Sequence, residues 1–292
     1  GDGRDGIARD EGDWIDEGGC GGYPAVGSSW HGTFIAGQIA ANSDNGQGIA
    51  GVDWRAKILP VRVLGQCGGT DADVFEGMLW ASGVSIAGVP ANPTPARVLN
   101  LSLGGQGACS QAIQEAVDDA LAQGAVVVAA AGNEADDAAN YAPANCSGVI
   151  TVAALNRAGE RAVYSNFGAR VDLAAPAGES VDDATLSHSN TGDRTPADPG
   201  YALGIGTSFS APLVAGTASK NTANGARPLV REAVCIASDD PLGLTVSVTA
   251  RWSIASNARG VMAWFQLGVS SPPTFRIRSP SSRPDSAAMP EV

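Results

Sequence analysis

The 292-residue sequence predicts an α/β fold of three layers, a mainly parallel sheet flanked by helices. Two observations carry that expectation. Apolar runs of strand length alternate with longer helical patterns through the first 218 residues. One run, residues 125–131, is apolar without a break, as a parallel strand covered on both faces must be.

Taken in order, residues 1–30 hold no apolar run; Asp, Gly and Glu dominate and predict loop. From Gly32 to Ala41, Phe34, Ile35 and Ile39 stand among Ala and Gly, the pattern of a close-packed buried helix. An apolar strand is expected at 57–64 and a helix at about 71–82. A second strand, 97–103, runs into Gly104-Gly105. A helix at about 110–123 stops at Gly124, which suits a left-handed cap. The strand at 125–131 follows, with shorter ones at 149–154 and 171–175. His188 lies in the polar stretch Leu186-Ser187-His188-Ser189 and is read as an exposed loop residue. Gly206-Thr207-Ser208 then opens an Ala-rich helix reaching about 218.

After Ser219 the character changes. Residues 1–218 carry 10 Lys and Arg against 25 Asp and Glu, whereas 219–292 carry 8 against 5. The first part, 1–218, is therefore read as one domain, and 219–292 as a divergent tail, disordered or frame-shifted, rich in Ser, Pro and Arg near its end.

Composition removes several function classes. A net charge of −12 leaves no basic stripe for phosphates, so no nucleic-acid partner is expected. No run approaches the length of a membrane span. The start shows neither Met nor a leader, and reads as the interior of a longer precursor. Cys20, Cys67, Cys109 and Cys146 sit in turn-like contexts without zinc spacing, leaving two readings: four free thiols or two disulfides. Cys235 is left over.

Three motifs carry chemistry: His31-Gly32-Thr33 with Ala36-Gly37, Ala130-Ala131-Gly132-Asn133, and Gly206-Thr207-Ser208-Phe209-Ser210-Ala211-Pro212. Ser208 at a strand-to-helix junction would project from the sheet, and its hydroxyl needs a base to become nucleophilic. The bland alternative is a helix cap. Asn133, after an apolar strand and Gly132, could aim its amide at a cleft, or simply make a Gly-Asn turn. The serine context is not Gly-x-Ser-x-Gly, and no Gly-Asp-Ser-Gly occurs, which disfavours α/β-hydrolase and trypsin-like readings.

On these motifs and their order the chain resembles the subtilisin-like serine proteases, the subtilases. The resemblance covers roughly residues 1–218. It implies a serine endopeptidase acting on polypeptides, with His31 as base, Ser208 as nucleophile and Asn133 as oxyanion donor. It further implies that Ser102, Leu103 and Gly104 pair with an extended substrate and that Ala131 and Gly132 line the primary specificity pocket, with residues 175–178 at its base. It favours the disulfides Cys20–Cys67 and Cys109–Cys146, a secreted, monomeric enzyme, and structural calcium held by Asp2, Asp5, Asp10 and Asp13. For that acidic loop, plain solvation is the alternative, since the spacing is not that of an EF-hand. The family's triad Asp, at the end of an apolar strand, has no match here. It is expected upstream of Gly1, together with the first strand. A peptide- or calcium-binding protein without catalysis is the second reading.

Overall fold

The computed structural model describes residues 11–222 and, beyond them, the backbone of strands at 232–235, 249–257 and 260–268. A single turn, α1 (Gly19–Gly22), precedes α2 (His31–Ala40), β1 (Lys57–Pro60), α3 (Asp71–Ser82), β2 (Val98–Leu101) and the short β3 (Gly105–Gln106). Then come α4 (Gln111–Ala122), β4 (Val126–Ala130), the short β5 (Tyr141–Ala142), β6 (Ile150–Leu155) and β7 (Leu173–Pro176). A hairpin, β8 (Thr185–Asn190) and β9 (Pro199–Gly204), leads into α5 (Thr207–Thr222). Past it lie β10 (Glu232–Cys235) and an antiparallel pair, β11 (Thr249–Asn257) and β12 (Gly260–Gly268).

The main sheet has the order β1-β10-β2-β4-β6-β7, every neighbouring pair parallel. The expected α/β fold is therefore present. Alternation along the strands divides the core in two. Leu99, Leu101, Val127 and Ala129 point to one face, against Val74 and Met78 of α3 and Ile113 and Val117 of α4. Val98, Val128, Ala130 and Val152 point to the other, against Ile35 and Ile39 of α2 and Ala211 and Ala215 of α5. Leu99 and Leu101 are completely buried; truncating either to Ala should cost about 2–5 kcal/mol.

Local signals place the ends. Thr70 Oγ1 accepts from the Asp73 N–H while the Asp73 carboxylate accepts from the Thr70 N–H, a capping box that starts α3. Ser110 caps α4 by accepting from the Ile113 N–H, and Gly124, at φ +77°, takes the left-handed conformation that stops it. Both disulfides form: Cys20–Cys67 ties the segment before α2 to the loop after β1, and Cys109–Cys146 ties the start of α4 to the approach of β6.

Four features differ from the sequence reading, the first two for evident physical causes. The strand expected at 57–64 stops at Pro60, a residue with no N–H to donate to a ladder. Residues 186–189, read as polar loop, lie in strand β8 of the β8–β9 hairpin, and His188 is only 8 % exposed. It is covered because Gly37 of α2 has no side chain: a Cβ there would lie 2.5 Å from His188 Nδ1. The position between β1 and β2 holds β10, with Ala233 opposite Val98 and Leu59 opposite Val234. Helix α5 continues past residue 218 to Thr222.

Candidate active site

The start of α5 brings the three motifs together. Ser208 lies in its first turn, directly after the Gly206 bend. Ser208 Oγ sits 3.4 Å from the Ser102 carbonyl oxygen, and the Ser208 carbonyl accepts from Ser102 Oγ at 2.7 Å. That second bond has a sequence cause. In a regular helix the carbonyl of residue 208 would accept from the N–H of residue 212, but residue 212 is Pro. The carbonyl is thereby left for Ser102, whose own Oγ accepts from Asn100 Nδ2 at 2.9 Å.

Thr207 fixes the second motif. Its N–H and Oγ1 both donate to Asn133 Oδ1, at 2.8 and 2.9 Å. With its oxygen so occupied, the exposed Asn133 turns its Nδ2 donors away from Thr207. Thr207 Oγ1 also accepts from the Gly132 N–H at 3.2 Å. Gly132 is at φ +106°, and a Cβ there would fall 2.1 Å from Asn166 Nδ2. Asn166 is fully buried and braces this turn, donating to the Ala131 carbonyl and to Glu134 Oε2. Neither Thr207 nor Asn166 is singled out by the sequence. Their common signal is a buried polar side chain beside a motif, visible only once the fold supplies the burial.

His31 begins α2 on the opposite wall. Its ring centroid is 5.6 Å from that of Phe209, which sets the imidazole beside the residue following Ser208. Burial pushes its pKa below the ordinary histidine value, and the Asp13 carboxylate opposes that shift. Asp13 in turn accepts from the Ser29 N–H and Oγ, both at 2.6 Å.

Beside His31 lies an open cleft of about 570 Å³, lined by Asp13, Ser29, His31, Ser102, Leu103 and Gly104; Ser208 and Asn133 are not on its wall. Leu64, Val74 and Ile113 make its apolar parts. Of the residues singled out in the sequence, His31 and Ser102–Gly104 share this cleft, while Gly132 and Asn133 bond to Thr207 just after β4, and Ala131 is held by Val152 and Asn166. Of the four acidic candidates, Asp2, Asp5 and Asp10 lie outside the described residues. Asp13 is engaged by Ser29, and among the described residues no three His, Cys, Asp or Glu side chains come together as a metal site.

The family model that describes the subtilase family, peptidase S8, matches residues 8–228. The chain belongs to the subtilase family. This subtilase is 50 % identical over 217 residues to an extracellular protease of Xanthomonas campestris, covering 74 % of the chain and 37 % of that relative. It is 48 % identical over 224 residues to an extracellular basic protease of Dichelobacter nodosus, covering 75 % and 36 %. The chain thus spans little more than a third of the length of these two relatives. Among solved structures it resembles a protease from Pseudoalteromonas arctica, with a TM-score of 0.74 and 45 % identity over 81 % of this chain and 76 % of that one. Among its described residues, no helix is long and apolar enough to cross a membrane.

Proposed function

We propose that this subtilase is the catalytic part of a secreted serine endopeptidase. Ser208 Oγ attacks the carbonyl carbon of an extended peptide while the His31 imidazole takes the hydroxyl proton. The oxyanion that forms accepts from Asn133 Nδ2 and the Ser208 N–H. As the C–N bond breaks, His31 returns the proton to the leaving amine, and water then hydrolyses the acyl-enzyme by the same relay. The edge at Ser102–Gly104 suits main-chain pairing with the substrate, and Ala131–Gly132 its first side-chain pocket. The single observation that supports this reading is the contact set of one helical turn: Thr207 holds Asn133, Ser208 meets Ser102, and Phe209 meets His31.

A fluorophosphonate probe tests it. Covalent labelling at Ser208, lost in Ser208→Ala, is the expected result. Absence of labelling in the folded chain would favour the second reading, a peptide- or calcium-binding member without catalysis. Secretion accords with the extracellular relatives and with two disulfides, which persist in oxidising compartments. A monomer acting on polypeptides, without nucleic acid or membrane, completes the proposal. The described residues do not by themselves make a calcium site, so that part of the proposal stands on Asp2, Asp5 and Asp10, and no catalytic step runs through the ion.

A further inference from the structure

The β8–β9 hairpin packs beside α2 and the start of α5, the elements that carry His31 and Ser208. Strand β9 ends at Gly204, four residues before Ser208. The body of the hairpin lies on α2: Ser187 Oγ donates to the Phe34 carbonyl at 2.7 Å, and His188 fills the space over Gly37. Its tip, residues 191–198, reaches across to the segment that precedes His31. There the Trp30 indole N–H donates to the Gly192 carbonyl at 2.7 Å, and the Ser28 N–H donates to the Asp193 carbonyl at 2.7 Å. Ser28 Oγ donates to the Arg194 carbonyl, and the Arg194 guanidinium pairs with Asp16. The fit is close on both sides. A Cβ on Gly12 would lie 1.9 Å from the Arg194 carbonyl oxygen, and one on Gly27 would lie 2.5 Å from Asp193 Oδ1.

Trp30 is where this matters. It is the residue before His31, and its backbone is left-handed, φ +49° and ψ +30°, an outlier for a bulky side chain. It gives α2 no side-chain cap. A conformation of this kind persists only where the surroundings over-determine it. The surroundings here are the indole's burial, at 3 % exposure, and its bond to the hairpin tip. The left-handed turn at Trp30 sets the direction in which α2 starts, and so where the His31 imidazole stands.

We propose that the hairpin tip is a positioning element for the base: by holding the Trp30 indole at Gly192 it sets His31 against Ser208. Trp30 and residues 191–198 touch no reacting atom. Their effect runs through the backbone at residue 30. The inference rests on the reading of His31 and Ser208 as base and nucleophile.

Two variants approach the contact from opposite sides. Trp30→Phe keeps an aromatic ring but deletes the N–H. Gly192→Ala distorts the tip, because the new Cβ would meet the Thr195 carbonyl oxygen at 1.9 Å. In the 292-residue chain, two readouts are taken: the rate of fluorophosphonate labelling at Ser208, and the Cε1–H resonance of His31 in an NMR spectrum with only two histidines. Both variants should slow labelling by roughly ten- to a hundredfold, the range expected when a reacting group is displaced by up to about an ångström. Both should move the His31 resonance, and the melting temperature should fall by only a few degrees. Saturation by a peptide substrate should change little, since the cleft wall at Ser102–Gly104 is untouched. Wild-type labelling and an unmoved His31 resonance in either folded variant would overturn the proposal. If Trp30→Phe does not fold, Gly192→Ala decides. If the wild-type chain itself is not labelled, the catalytic reading fails, and the His31 resonance still decides whether the tip positions the base.

Discussion

Under the proposed mechanism, replacing Thr207 by Val should separate holding the oxyanion donor Asn133 from supplying it. The substitution keeps shape and volume at a fully buried position while exchanging a hydroxyl for a methyl. Two hydrogen bonds go: the one from Oγ1 to Asn133 Oδ1 and the one from the Gly132 N–H to Oγ1. The first loss is partly covered, since the backbone N–H of residue 207 still donates to Asn133 at 2.8 Å. The second leaves a part-buried N–H without an acceptor, at a cost of about 1–3 kcal/mol. For a domain of this size about 2 kcal/mol corresponds to a drop of roughly 4–8 °C in Tm. On rate, removing the side-chain donor outright costs about 10²–10³, a value measured in subtilisin itself, a relative of this chain. An amide held by one donor where two held it before should lose less, about tenfold in kcat, with KM unchanged. Calorimetry and active-site-titrated turnover on a peptide read the two effects separately. Thr207→Ser, which keeps the hydroxyl, should recover most of both. The reasoning is refuted if Thr207→Val turns over at the wild-type rate, or if it loses more than Asn133→Ala.

Three further outcomes follow from the same structure. The Cys109–Cys146 bridge closes 37 residues and Cys20–Cys67 closes 47; replacing either pair by Ser should cost up to about 4 kcal/mol, seen as a lower urea midpoint under oxidising conditions. An unchanged midpoint would mean that the bridge does not constrain the unfolded chain. His188 is buried, its Nε2 has no hydrogen-bond partner, and desolvation lowers its pKa from the ordinary 6.5. The unfolded chain therefore takes up this proton first as pH falls, so stability should decline below about pH 6.5 and the decline should flatten in His188→Leu; equal slopes in the two proteins would contradict the burial argument. If Asp2, Asp5 and Asp10 hold calcium, EDTA should lower the melting temperature and added calcium should restore it; an unmoved melting curve removes that proposal.

Much of the sheet is legible from local pattern. Helices α3 and α4 fall within about a residue of their expected ends, because Thr70, Ser110 and Gly124 are caps that act within one turn. Strand β4 is visible because a run of Val and Ala covered on both faces has no other soluble solution. The hairpin was hidden for the opposite reason. Its largest apolar side chains, Leu186 and Leu203, are about half exposed, while its inward residues are Ser187 and His188. A strand whose buried positions are polar and whose apolar positions are exposed inverts the usual pattern. His188 is covered by a glycine about 150 residues away in sequence, which no local window can contain. The placement of β10 between β1 and β2 is similarly non-local, since its partners precede it by more than 130 residues. Within the candidate site, the motifs nominate His31, Asn133 and Ser208. Their neighbours Thr207, Asn166 and Trp30, to which the structure draws attention, look ordinary in the sequence.

The position of Ser208 in the first turn of a 16-residue helix carries a last consequence. The opening N–H groups of such a helix have no partners within it, and the aligned peptides behind them leave the positive end of the dipole at the proposed nucleophile. In the proposed mechanism, negative charge appearing on the substrate oxygen therefore meets the Ser208 N–H and the amide of Asn133, neither of which gains or loses a proton in the range where proteins stay folded. This half of the machinery is silent to acid and base. Among the groups assigned to the reaction, sensitivity to pH is concentrated in one imidazole, His31, so a profile of rate against pH should report a single protonation on its acid side.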